Sequence, residues 1–170
     1  MSARPIVVLG LMGAGKTTLA AALAAALQRP LHDSDADIED DTGREATDIA
    51  ACRGGRERLH DLEAKHLRDA LQADAGVIAA AASVVDRAAL RAALERAFVI
   101  WLDAPPDVLA KRFHANPHRP VYGDADEVLK RHDRRRRPHF GAIADIVLDA
   151  TKDPQVLVGQ AIAAVREQDV

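Results

Sequence analysis

The chain has 170 residues, 29% of them charged, and a formal net charge of -3; that is the size of one domain with room for a buried core. This balance gives no strong pull toward nucleic acid or an anionic membrane, and no apolar run approaches the roughly 20 residues of a membrane span. A single cysteine, Cys52, excludes an internal disulfide, and no Cys/His cluster has zinc-finger spacing. The first apolar run begins almost at once and leaves no room for a signal peptide, so the expectation is a cytoplasmic protein.

Residues 5–9 (PIVVL) read as a buried strand, and "GLMGAGKTT", residues 10–18, follows directly. Its pattern is Gly10, four residues, Gly15, Lys16 and Thr17. Leu19, Leu23 and Leu27 then recur every four residues, as on one face of a helix over 16–28. A glycine-rich turn between a strand and a helix is the context of a P-loop, in which backbone N–H groups and the helix N-terminus cradle phosphate oxygens. Gly13, Ala14, Gly15, Lys16, Thr17 and Thr18 are therefore candidate nucleotide ligands. Lys16 is placed to reach the β- and γ-phosphates of ATP, and the Thr17 hydroxyl to ligate Mg²⁺.

Further strands are expected near 31–34, 76–80, 97–102 and 145–149, with helices near 56–73, 86–95, 105–114, 125–137 and 153–167. Strand alternating with helix predicts one α/β domain with a parallel sheet covered on both faces. Ligands in such folds bind beyond the carboxyl ends of the strands, so the residues following each strand matter most. After the second strand come Asp33 and Asp35. In an extended segment their side chains share a face, so that one carboxylate can hold magnesium while the other contacts an acceptor hydroxyl. The acids that follow, Asp37 to Asp41, suit a first helical turn. On the helix over 56–73, Asp61 and Lys65 have the spacing of an i,i+4 ion pair.

Residues 114–126 form a polar stretch broken by Pro117, Pro120 and Gly123. This has the character of a lid, with Arg119 able to close over a transferring phosphate. Residues 130–140, "KRHDRRRRPHF", are the most basic part of the chain; arginine forks of this kind grip carboxylate or phosphate. Nucleic-acid binding there is disfavoured by the acidic balance and by the scarcity of aromatic residues for stacking. The turn "LDATKDP", residues 148–154, includes Lys152 and can lie against an adenine, with Pro154 starting the final helix. Asp103, after the fourth strand, is either a substitute magnesium-site acid or a plain strand-end residue.

These stretches, in this order, resemble the shikimate kinase family within the nucleoside-monophosphate-kinase-like P-loop folds. The likeness covers almost the whole chain and is carried by "GLMGAGKTT", "DSDADIEDDTGREATDIA", "HRP", "RRRRPHF" and "LDATKDP". It implies a three-layer fold around a five-stranded parallel sheet, order 2-3-1-4-5, with a small lid. It also implies transfer of the ATP γ-phosphoryl group, with magnesium, to a ring hydroxyl of shikimate. Asp33 would then support Mg²⁺, while Asp35 would bind the acceptor hydroxyls and orient or deprotonate one. Arg136 would grip the substrate carboxylate, Arg119 would clamp phosphate, and Arg112 would stack on adenine. A monomer acting on a small hydroxylated molecule is the corresponding expectation.

Two departures from the family pattern fall on the acceptor side. Where the family carries F-R-x-x-E, this chain has Leu59, His60 and Glu63, so a carboxylate-gripping arginine is replaced by His60, which is mostly uncharged near pH 7. Arg56 and Arg58 lie within a turn of it. Where the family places a glycine triplet, this chain has Ala81, Ala82 and Ser83, which disfavour positive φ and a close backbone approach. The donor is therefore ATP, while the acceptor remains shikimate or a related gluconate- or cyclitol-type molecule. A catalytically weak nucleotide-binding regulator is the alternative of another class.

Overall fold

The computed structural model describes residues 4–115 and 124–168. In it the apolar runs become five parallel strands: β1 (Ile6–Leu9), β2 (Leu31–Asp33), β3 (Val77–Ala79), β4 (Phe98–Asp103) and β5 (Ile146–Asp149). Their order is β2-β3-β1-β4-β5, as the resemblance implies. β1 and β3 are buried throughout and β4 in all but Asp103, which explains why they read as unbroken apolar runs rather than alternating ones. The edge strands differ, with Leu31 on β2 and Val147 on β5 exposed. Asp33 lies in register beside Ala79, and Ala79 beside Val8. The segments that leave β1, β2 and β3 therefore emerge together at one edge of the sheet.

Around the sheet lie α1 (Lys16–Leu27), α2 (Ser34–Thr42), α3 (Ala46–Ala51), α4 (Gly55–Gln72), α5 (Ala88–Leu94), α6 (Pro106–His114), α7 (Ala125–Ile143) and α8 (Pro154–Glu167), with a 3-10 turn at Ala82–Asp86. Helix α1 packs on α8 and on β1 to β3, whereas α7 packs on β4, α5 and α6. Among the described residues no helix is long and apolar enough to cross a membrane.

Three local outcomes differ from the sequence reading. First, α2 and α3 are additional helices. The Asp33 side chain caps α2 by accepting from the backbone N–H groups of Asp35 and Ala36, and Gly43 ends the helix at φ 67°. Only Ser34 and Ile38 of α2 are buried, so no apolar stripe announced it. Second, α7 runs on to Ile143 through Pro138. A proline inside a helix removes one hydrogen bond and crowds the preceding turn, but here it sits on the exposed side while Leu129, Arg136 and Phe140 anchor the other face. Third, Asp61 pairs across to Arg87, and Lys65 pairs with Asp69.

The junction of α3 and α4 depends on a missing side chain. A Cβ added at Gly55 would stand 1.8 Å from the Ile49 carbonyl oxygen, so any other residue would force the two helices apart. Helix α7 is fastened to β4 by Arg137, which donates to both oxygens of Asp103 at 2.8 and 3.0 Å and also to Asp133. Its guanidinium lies over Trp101, 5.2 Å from the ring centroid, and Trp101 stacks on Phe140. These carboxylate bonds raise the Arg137 pKa further above its already high ordinary value. Asp103 is thus the strand-end anchor of α7.

Candidate active site

The loop after β1 is shaped by glycine. Gly10, Gly13 and Gly15 have φ of 155°, 86° and 96°, and a Cβ at Gly10 would lie 2.7 Å from the Leu102 carbonyl oxygen; side chains disfavour both features. Helix α1 begins at Lys16 with no side-chain cap and no acid in its first turn, so the N–H groups of that turn face the loop without an intrahelical acceptor. This is the arrangement that takes up a phosphate. The Lys16 ammonium donates to the Leu11 carbonyl at 3.2 Å, which puts it across the loop. Thr18 is exposed on the same turn.

One residue along, the Thr17 hydroxyl donates to Asp33 Oδ2 at 2.6 Å, and Asp33 is 7% exposed. The extended end of β2 and the start of α1 therefore bring together the two oxygen ligands singled out for magnesium. Their donor set, a hydroxyl and a carboxylate beside a phosphate cradle, fits that hard cation. Asp35 is not in an extended segment beside Asp33: it occupies the first turn of α2, exposed. Its charge nevertheless acts on Glu63.

On the acceptor side the organising group is Glu63, on α4 and 8% exposed. It accepts a very short hydrogen bond from the Ser83 hydroxyl. Burial pushes its pKa up to about 7; the Ser83 bond opposes this, the negative charge of Asp35 adds to it, and Arg136 and Lys16 oppose it. Ser83 bonds this carboxyl group directly, and the charges of Asp35, Arg136 and Lys16 act on it. His60 lies on the same helix one turn earlier. Burial, then the charge of Arg136, pushes its pKa below the ordinary value despite the opposing charge of Asp86, so His60 is neutral at pH 7.

Arg136 has its side chain 6% exposed, at a position of α7 that the helix spacing assigns to the core. Its Nε and Nη2 donate to the carboxylate of Asp86 at 2.9 to 3.3 Å. Arg135 adds an ion pair to the same carboxylate at 3.0 Å. Arg58 is exposed, whereas Arg56 lines a cavity of about 520 Å³ together with His60 and Arg87. Ala81 has an ordinary extended backbone (φ -63°, ψ 144°) and Ala82 begins the 3-10 turn. The segment is therefore built without the positive φ that a glycine triplet would permit, and it turns the Ser83 hydroxyl onto Glu63.

Arg112 donates to the Gly13 carbonyl at 3.3 Å and to the Ala150 carbonyl at 2.6 Å, tying the phosphate loop to the turn that carries Lys152. In that turn Asp149 accepts from the backbone and hydroxyl of Thr151, and Pro154 stands at the start of α8. Arg119, and most of the lid expected at 114–126, lie outside the described residues; His114 ends α6 and Asp124 caps α7. Asp86 is not singled out in the sequence, and Glu63 enters it only as the acid of the F-R-x-x-E pattern. Glu63 had a signal, a carboxylate in line with Leu59 and Leu67 at four-residue spacing. Asp86 had none, because its partner is 50 residues away.

A family model for shikimate kinase matches residues 12–166. The shikimate kinase of Rhodococcus erythropolis is 33% identical over 165 residues, spanning 95% of this chain and 97% of its own. That of Symbiobacterium thermophilum is 38% identical over 146 residues, 83% of each. Among solved structures, the shikimate kinase of Acinetobacter baumannii in complex with shikimate has a TM-score of 0.89 at 24% identity and spans 99% of this chain and 96% of its own. A gluconokinase from Sinorhizobium meliloti shares the fold at a TM-score of 0.64 and 19% identity, over 97% of this chain and 93% of its own.

Proposed function

The chain belongs to the shikimate kinase family of ATP-dependent phosphotransferases, and from that premise we propose that it transfers the γ-phosphoryl group of ATP, with Mg²⁺, to a ring hydroxyl of shikimate. The observation that carries this reading is the 2.6 Å contact of Thr17 with Asp33 beside the glycine-shaped phosphate loop.

Phosphoryl transfer asks the protein chiefly for positioning and charge neutralisation. The loop amides and Lys16 would hold the phosphates, with Arg112 and Lys152 toward the base. Thr17 and Asp33 would hold Mg²⁺, which when bound neutralises charge between the β- and γ-phosphates. Asp35 orients the acceptor hydroxyl from the first turn of α2. Arg136 faces the acceptor's carboxylate, with His60, Ala81 and Ala82 shaping the pocket around the ring. Arg119 would close over the phosphate. Every group invoked comes from one chain, so a monomer suffices.

The test is ADP release from Mg-ATP with shikimate, quinate, gluconate, inositols or no acceptor, repeated for Asp33→Asn. Asparagine caps a helix as well as aspartate does but loses the charge that holds the metal. The variant should therefore keep its melting temperature while kcat drops by about 10²-fold. Release stimulated by shikimate supports the reading. ATP binding with no stimulation by any acceptor would leave a nucleotide-binding regulator instead.

A further inference from the structure

The fork of Arg136 already holds a carboxylate, and that carboxylate belongs to the protein. Asp86 closes the 3-10 turn after β3, its side chain nine-tenths buried. It engages Nε and Nη2 of Arg136 together, the side-on geometry in which an arginine takes a ligand's carboxylate. The same two donors cannot serve both acids at once. Three neighbouring groups do not replace them: His60 is neutral, Arg135 is committed to the same Asp86, and Arg87 donates to Asp61 at 2.6 Å.

We propose that Asp86 is a specificity-determining residue, an internal carboxylate that competes with the acceptor's own carboxylate for Arg136. This rests on the reading of Arg136 as the acid-facing group of the acceptor site and deepens it. An acidic acceptor must lever Asp86 away from two arginines or bind with its carboxylate beside a like charge, and either course weakens it relative to an uncharged acceptor of the same shape. Discrimination through a built-in repulsive element is a recognised route to specificity. The glycine-to-alanine departure belongs to the same device, because the 3-10 turn that starts at Ala82 is what delivers Asp86 to Arg136.

The test has two arms. In the first, shikimate binding is measured by titration calorimetry for the wild type and for Asp86→Asn, with steady-state kinetics and a melting curve for each. The variant should bind shikimate about tenfold or more tightly, the worth of one charge-assisted hydrogen bond regained. KM should fall by more than any change in kcat, and the affinity for myo-inositol should not follow. An unchanged or weaker affinity for shikimate in the folded variant overturns the proposal, as does an equal gain for myo-inositol. The second arm needs no variant: the wild type should bind the methyl ester of shikimate at least as well as the free acid, and a clear preference for the acid would mean that the fork is open to it. If the wild type phosphorylates nothing in the acceptor panel, the reading of the function fails on its own. Calorimetry on Asp86→Asn still decides the present inference, since shikimate binding that emerges only in the variant sustains it and none overturns it.

Discussion

The nucleotide half and the acceptor half of this site are built by different means. Around the phosphates the work falls to backbone: three glycines at positive φ, a helix start left uncapped, and two side chains, Thr17 and Asp33, brought into contact by neighbouring elements. Around the acceptor it falls to buried ionisable side chains drawn from α4, the 3-10 turn and α7, namely Glu63, Asp86 and Arg136. In the first kind of site the shape comes mostly from backbone, although Asp33 also caps α2 and Lys16 also bonds the Leu11 carbonyl. In the second, the same groups that shape the pocket also determine whether the fold tolerates them, because a buried charge without its partner is expensive.

The contrast is sharpest at Arg136. Arg136→Met leaves the buried Asp86 with only Arg135, whose side chain is 62% exposed. Breaking a buried pair from one side typically costs about 3–5 kcal/mol, so chemical denaturation should show a loss of that order together with the loss of acidic-acceptor binding. Lys16→Met should do the reverse. Its kcat should fall by about 10²- to 10³-fold, the worth of one preorganised transition-state donor, with a smaller loss of stability than Arg136→Met, since Lys16 bonds a loop carbonyl. Equal stability losses in the two variants would erase the distinction between the halves.

The same contrast explains what could be read from the letters alone. The P-loop was legible because it depends on local spacing, whereas the strand order and the choice of Asp33 as Thr17's partner came from the resemblance. Arg136 was legible from the resemblance, and its place in the core follows from its spacing with Leu129 and Phe140. Helix α2 was legible only as acids suited to a first helical turn, since it is held by a cap at Asp33 and carries two buried residues instead of an apolar stripe. The burial of two carboxylates was hidden for another reason: apart from its place in the F-R-x-x-E pattern and its alignment with Leu59 and Leu67, Glu63, like Asp86, reads as a helix-surface acid until α4, the 3-10 turn and α7 meet. At the glycine-triplet position Ala81 and Ala82 were read as disfavouring positive φ, and the chain takes an extended residue and a 3-10 turn there.

Glu63 offers the finest test, since it joins the halves. With its pKa pushed from the ordinary 4.5 up to about 7, the folded chain keeps a proton between those values that the unfolded chain releases. Stability must fall as pH rises through that window and level off above it. His60 and His132 act in the opposite sense. Burial followed by the charge of Arg136 lowers both, His132 to about 4, so the unfolded chain takes up protons that the folded chain refuses, and their contribution rises with pH toward the ordinary value of 6.5. The wild-type curve is the sum of these opposed slopes and can look flat. Glu63→Gln removes only the falling part while keeping an amide that can accept from Ser83. The variant should therefore gain on the wild type steadily between pH 5 and 7.5, by on the order of 3 kcal/mol at the upper end. Parallel melting curves across that range would mean that Glu63 ionises as an ordinary surface glutamate, and that the two halves of the site are not coupled through its proton.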